Sequence, residues 1–286
     1  MEQQPKRIIP LCQTDTHHCE LKTCPVCGET IEQVMTQHKR DFCDKFGYLP
    51  SVKVGEIFPA PCRCERESEM ASRERERLQK AAKERVNRMR ERGIADMQCR
   101  SMTFENDAGY NLDIRAKSLR YAENFDKMLA ENIGLLFTGG VGTGKTFFAA
   151  CIVNALIDKG VFAMLTSLSR VINTDRDNVE HVLRAIEQAD LVAFDDVGSE
   201  RDTSFAYERA FDAIDARVRA RKPMIITTNL TPEELGNVTD IKLKRIYDRI
   251  LGACVPIMVN GGSARVAEQR KKTESARGLL LGESLE

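Results

Sequence analysis

Leu135-Leu136-Phe137-Thr138-Gly139-Gly140-Val141-Gly142-Thr143-Gly144-Lys145-Thr146-Phe147-Phe148 runs from a short apolar segment through a glycine-rich turn into an apolar helix. Its centre, Gly139-x4-Gly144-Lys145-Thr146, has the P-loop spacing, and its flanks are the strand and helix that the motif needs. Glycines there let backbone N–H groups turn inward around phosphates, and the helix start adds its positive dipole end. Lys145 is expected to reach the β- and γ-phosphates, and the Thr146 hydroxyl to complete a Mg²⁺ shell. The stretch predicts a nucleotide site built from Gly139, Gly140, Val141, Gly142, Thr143, Gly144, Lys145 and Thr146.

Downstream, strand-like and helix-like segments alternate, which argues for a parallel sheet covered by helices. Strands are predicted at Val161 to Thr166, Leu191 to Phe194, Met224 to Thr228 and Cys254 to Val259. Helices are predicted at Phe147 to Lys159, Val179 to Gln188, Ser204 to Arg221 and Ile241 to Leu251. Thr231-Pro232-Glu233-Glu234 has the cap, first-turn proline and acids of another helix start. Asp195 stands at the tip of Leu191-Val192-Ala193-Phe194, where an acid beside a P-loop holds Mg²⁺. Asp196 is the candidate to orient the attacking water, with Glu200 in reserve. Asn229 ends the next strand and is a candidate partner for that water or the γ-phosphate; a simple turn residue is the alternative.

The rest of the chain reads as two further zones. Seven of the 10 cysteines precede residue 65, which points to metal rather than disulfides. Cys24-Pro25-Val26-Cys27-Gly28 looks like a zinc knuckle, and Cys62-Arg63-Cys64 supplies a second pair. Four thiolates, Cys24, Cys27, Cys62 and Cys64, suit tetrahedral Zn²⁺, although His17, His18, Cys19 and Cys43 are also near in sequence. Cys151 and Cys254 sit in apolar runs and read as core. Arg63 to Arg92 has no Gly or Pro and carries Glu-leading i,i+4 pairs such as Glu69 with Arg73, so a helix is expected, closed by Gly93. It holds 11 Lys/Arg against 7 Glu, which leaves both a solvated linker and DNA contact open.

Over all 286 residues, 43 basic residues balance 43 acidic ones, so no global field argues for nucleic acid or membrane. The longest apolar stretch, Phe147 to Ile157, is too short to span a bilayer and contains Asn154. The chain opens Met1-Glu2-Gln3-Gln4-Pro5, with no charged-then-apolar leader, and a cytoplasmic protein is expected.

The ordered set of P-loop, Leu-Val-Ala-Phe-Asp195-Asp196-Val-Gly, Met-Ile-Ile-Thr-Thr-Asn229-Leu and Arg245-Ile-Tyr-Asp-Arg249-Ile resembles the DnaC/DnaI branch of AAA+ ATPases, which includes the transposition helper IstB. The similarity covers residues 101 to 265. It implies an α/β fold, an αβα three-layer parallel sheet without a C-terminal lid domain, joined to a small zinc-binding domain and a helical linker. The boundaries are then 1–66 for the zinc domain, 67–100 for the linker, 101–265 for the ATPase and 266–286 for a tail. By the same resemblance Asn229 is the sensor-1 residue, Arg249 the arginine finger entering a neighbouring subunit's ATP site, and Arg265 the sensor-2 arginine. Arg245 stands one turn before Arg249, where pairing with Asp248 is the bland alternative. Asp196 is shorter than the Glu that many related ATPases carry. The insertion with which loaders contact single-stranded DNA has little room between Leu165 and Asp190; Lys159, Arg170, Arg176 and Arg184 are the nearby basic candidates.

The implied function is ATP-dependent loading of a DnaB-type replicative helicase onto single-stranded DNA, with ATP, Mg²⁺ and Zn²⁺ as cofactors and self-association through the ATP sites. The cysteine module would bind the helicase, stiffen the chain or touch DNA. An IstB-like ATPase assisting a transposase is the alternative.

Overall fold

The computed structural model describes residues 21–49, 51–200, 203–260, 273 and 276. The chain divides into two compact units, Met1–Lys83 and Glu84–Glu286. Among the described residues, no helix is long and apolar enough to cross a membrane.

The first unit has little apolar material and relies on turns and polar braces. Strand β1 (Glu32–Val34) pairs antiparallel with β2 (Ile57–Pro59), and α1 (Gln37–Phe46) lies between them in sequence. The Thr36 hydroxyl accepts from Lys39 N at 3.4 Å to start α1, and Gly47, at φ 71°, closes it in the left-handed region. Met35, Cys43 and Val52 form a small core. Arg40 reinforces it by donating to the carbonyls of Leu49 and Val52 at 2.7 and 2.6 Å. A core of that size rarely holds a fold by itself, so a cross-link has clear physical value here.

Helix α2 (Arg63–Gly93) is continuous over 31 residues, and its residues from Glu65 to Arg85 are exposed. Glu69 and Arg73 close one i,i+4 pair at 3.5 Å. Within the second unit, Val86 and Met89 pack on the core and Gly93 is buried. Any Cβ at Gly93 would collide with the Ala163 carbonyl, so this glycine provides room for close approach as well as a helix stop.

The second unit continues with α3 (Met97–Arg100), α4 (Leu112–Glu123), α5 (Phe125–Ala130), β3 (Gly134–Thr138), α6 (Lys145–Asp158) and β4 (Ala163–Ser167). Then come α7 (Leu168–Ile172), α8 (Arg176–Gln188), β5 (Leu191–Asp195), α9 (Ser204–Ala220) and β6 (Met224–Thr228). It ends in α10 (Pro232–Gly236), α11 (Ile241–Ala253) and β7 (Cys254–Met258). The five strands lie in the order β4-β5-β6-β3-β7, all parallel. Side chains alternate across them: Leu135, Phe137, Ala193 and Ile225 enter one core, Leu136, Val192, Phe194 and Ile226 the other. That is the αβα arrangement expected. α10 starts where the sequence predicts a helix start, and Thr231 and Glu234 close it with a reciprocal capping box.

Two buried polar residues set the positions of whole segments. Asn154 interrupts the apolar face of α6, and its amide donates to the carbonyls of Cys99, Met102 and Ala150 at 2.8, 2.9 and 3.1 Å. Its oxygen accepts from Arg90 Nε at 2.9 Å, so one side chain fixes both the end of α2 and the segment after it. Arg217 of α9 has no solvent exposure. It donates to the carbonyls of Ile186 and Ala189 at 2.8 and 2.6 Å, and to those of Asp190 and Pro223 at 3.3 and 2.5 Å. The guanidinium thus sits on the negative end of α8, and burial pulls its pKa down to about 10.

Arg217→Ala would leave these carbonyls buried and open a cavity, and it is expected to cost at least about 3 kcal/mol in urea unfolding. Arg217→Lys should rescue little of that, because an ammonium lacks the planar fork that meets several carbonyls at once.

Candidate functional site

The polar residues of the sheet collect at its carboxyl edge, where ligands bind in open α/β folds. The loop after β3 carries Gly139, Gly142 and Gly144 at φ 140°, 82° and 98°. A Cβ on Gly139 would also strike the Val259 carbonyl. Val141 points to solvent, and the Thr143 hydroxyl donates to the Gly140 carbonyl at 2.9 Å. Lys145 is buried, and its Nζ donates to the carbonyls of Gly139 and Gly140 at 2.7 and 2.8 Å and to Asn229 Oδ1 at 2.9 Å.

A second chain of hydrogen bonds links β5 to its neighbours. The Thr146 and Thr227 hydroxyls both donate to Asp195 Oδ1, at 2.8 and 2.6 Å. Thr227 Oγ1 in turn accepts from Asp196 N at 2.9 Å. Asp196 sits at φ 55°, a conformation that Asp tolerates better than most residues, and its carboxylate accepts from Asn229 Nδ2 at 3.3 Å. Lys145, Thr146, Asp195, Asp196 and Asn229, separate in sequence, therefore form one hydrogen-bonded constellation. Glu200 folds back, its carboxylate accepting from Gly198 N at 2.8 Å, and burial pushes its pKa up. Thr227 escapes sequence reasoning; a polar residue one step before a strand's end is the only signal.

Lys145, Thr146, Asp195, Asp196, Thr227 and Asn229 line a cleft of about 1070 Å³. Its far wall comes from the segment held by Asn154, with Gln98, Met102, Asn106, Asp107 and Tyr110. Sequence reasoning leaves this wall unassigned, because the stretch has neither helical nor strand periodicity.

Arg249 and Arg245 lie apart from this cleft, on α11. Arg249 Nε donates to Asp215 Oδ1 at 2.9 Å, and both guanidinium groups lie over the Phe211 ring, at 4.4 and 4.6 Å from its centroid. Arg265 lies outside the described residues. Of the other basic candidates, Lys159 donates to the Ala122 carbonyl at 2.7 Å and Arg184 pairs with Glu180 at 2.7 Å.

In the first unit, the sulfurs of Cys24, Cys27, Cys62 and Cys64 all lie within 4.8 Å of one another. A tetrahedral site with Zn–S near 2.3 Å has sulfurs about 3.8 Å apart, so this donor set fits. The Cys24–Cys64 and Cys62–Cys64 separations are 3.6 and 3.1 Å. Backbone N–H groups of Glu29 and Cys64 pull the Cys27 thiol down to about 6, and those of Cys27 and Val26 lower Cys24. The Cys64 thiol is driven up by its crowded sulfur neighbours, Cys62 first. Four sulfurs this close can all ionise only around a cation. Glu29 steadies the cluster by accepting from Arg63 N and pairing with Arg66 at 3.1 Å. Cys43 is buried elsewhere, in the small core; His17, His18 and Cys19 lie outside the described residues.

Residues 67–273 match the profile of the IstB-like ATP binding proteins, and the chain belongs to that family. It is 25% identical over 174 residues to the replicative helicase loader DnaC of Escherichia coli strain K12, covering 57% of this chain and 69% of that one. It is 26% identical over 147 residues to the replicative helicase loader DnaI of Bacillus subtilis strain 168, covering 46% and 47%. Among solved structures, a candidate primosome component from Streptococcus pyogenes serotype M3 is similar at TM-score 0.50 and 19% identity, over 61% of this chain and 96% of that one. That last likeness bears on fold alone.

Thr227→Val keeps the volume but removes a donor to Asp195 and orphans the Asp196 N–H. It should cost about 1–3 kcal/mol in urea unfolding, and it should weaken Mg²⁺-dependent more than Mg²⁺-free nucleotide binding by titration calorimetry.

Proposed function

We propose that this member of the family is an ATP-hydrolysing switch that loads a DnaB-type replicative helicase onto single-stranded DNA. What carries the ATPase half is the meeting of Lys145, Thr146, Asp195, Asp196 and Asn229 at one sheet edge beside a cleft large enough for a nucleotide. The likeness to two proteins named as replicative helicase loaders directs that ATPase towards a helicase.

On this reading the Gly139 to Thr146 loop wraps the phosphates, and Lys145 exchanges its bonds to Gly139, Gly140 and Asn229 for the β- and γ-phosphates. Thr146 and Asp195 would hold Mg²⁺, which supplies charge neutralisation on the phosphate oxygens. Asn229, released from Lys145, stays tied to Asp196, so the two can hold the attacking water together. Arg249 reaches the γ-phosphate of a neighbouring copy, where a guanidinium spreads transition-state charge, and Arg265 acts as the second sensor. A finger acting in trans makes the active form an oligomer. The first unit, closed by Zn²⁺ on Cys24, Cys27, Cys62 and Cys64, would hold the helicase, with zinc as a structural cross-link.

The whole chain is expected to bind its cognate helicase, and removal of residues 1–66 to abolish the complex in size-exclusion chromatography. A chain that instead stimulates a transposase and ignores the helicase would establish the transposition role. Purified protein should carry about one zinc per chain by atomic absorption, lost in Cys27→Ser. Lys145→Ala should lose ATP binding, whereas Arg249→Ala should bind ATP normally and turn over at least about a hundredfold more slowly, as measured by phosphate release.

A further inference from the structure

Helix α9 carries Phe205, Arg209, Phe211, Asp215 and Arg219, and α11 carries Arg245 and Arg249. Within this group Arg249 is held on three sides. Its Nε donates to Asp215 Oδ1 at 2.9 Å and its Nη1 to the Arg245 carbonyl at 3.1 Å, while its Cζ lies over the Phe211 ring, 4.4 Å from the centroid. The cation–π contact holds the guanidinium against the ring, and the Asp215 contact limits its rotation there. Asp215 does not close a two-toothed clasp on Arg249, because its other oxygen, Oδ2, is taken by Arg219 Nε at 3.0 Å. Two N–H groups of Arg249 are therefore committed. Nη2 and the second hydrogen of Nη1 have no hydrogen-bond partner among the described residues, and about a third of the side chain (31%) remains accessible.

We propose that Asp215, with Phe211, is a positioning residue that presents the free edge of Arg249 to the triphosphate bound by a second copy of this chain. The proposal rests on the trans-finger reading of Arg249. A free arginine side chain must be ordered from many rotamers before it can meet a phosphate; one already fixed by a carboxylate and a ring avoids that cost at the moment of reaction.

The test uses the whole chain and ATP. Asp215→Ala is expected to lower turnover roughly tenfold or more, since small misplacements of a reacting group carry losses of that order, with ATP affinity within about twofold of the parent. Asp215→Asn keeps an oxygen for Nε and should fall between the two, and it serves if the alanine variant does not fold. Mixed oligomers separate positioning from stability. Lys145→Ala chains cannot bind ATP but can donate Arg249, so they should restore turnover to Arg249→Ala chains. Lys145→Ala/Asp215→Ala chains should not. Equal rescue by both donors, parental turnover in Asp215→Ala, or a turnover loss matched by lost ATP affinity would overturn the proposal. Parental turnover in Arg249→Ala would instead refute the trans-finger reading on which it stands.

Discussion

A parallel strand covered on both faces can carry polar side chains only where it ends. β3, β5 and β6 obey this: Leu135 to Phe137, Leu191 to Phe194 and Met224 to Ile226 are buried apolar runs, and each finishes in hydroxyl or carboxyl residues at the same edge. Thr138, Asp195, Thr227 and Thr228 are thereby forced together, with backbone groups left open at the loops. The hydrogen bonds of Thr227 to Asp195 and Asp196 N, and of the Thr228 hydroxyl to the Val197 carbonyl at 2.6 Å, tie β5 and β6 together at that edge, while the buried Thr138 hydroxyl has no partner among the described residues. The same bonds hold Asp196 in its left-handed conformation. Site geometry here is a by-product of how a buried parallel sheet must terminate.

That constraint explains why so much of the second unit is legible in sequence. Apolar runs ending in Asp or Thr, punctuated by glycines, mark strands, their direction and their functional ends together. The four cysteines are legible for a similar reason, since Cys24-x2-Cys27 and Cys62-x-Cys64 each close a local loop and need only one long-range meeting. What stays hidden is long-range and polar. Arg217 stands in Ala216-Arg217-Val218-Arg219-Ala220-Arg221 with nothing local to mark it, although its guanidinium is buried among the carbonyls of Ile186, Ala189, Asp190 and Pro223. Asn154 reads as a flaw in an apolar helix, yet it holds the wall of the cleft. Both satisfy backbone carbonyls far away in sequence, and no local periodicity reports that. Helices α4 and α5 escape for a milder reason: their apolar stripes are broken by Arg115, Lys117, Arg120 and Lys127.

Helix α9 shows how one element serves two sides. Residues 215, 217 and 219 alternate outward, inward and outward: Asp215 and Arg219 face the surface pair with Arg249, while Arg217 is clamped to the end of α8 and the starts of β5 and β6. The inward arginine fixes the height and rotation of the helix against the sheet. The outward aspartate inherits that precision, because a helix clamped at one residue cannot rotate freely two residues away. The same sheet holds Asp195 and Asn229 at its edge, so the nucleotide cleft and the Arg249 surface are built on one rigid frame. If Arg249 acts on a neighbouring copy as proposed, that frame sets the distance from each chain's phosphate site to the finger it offers. Hydrolysis would then depend on packing inside each chain as much as on contact between chains.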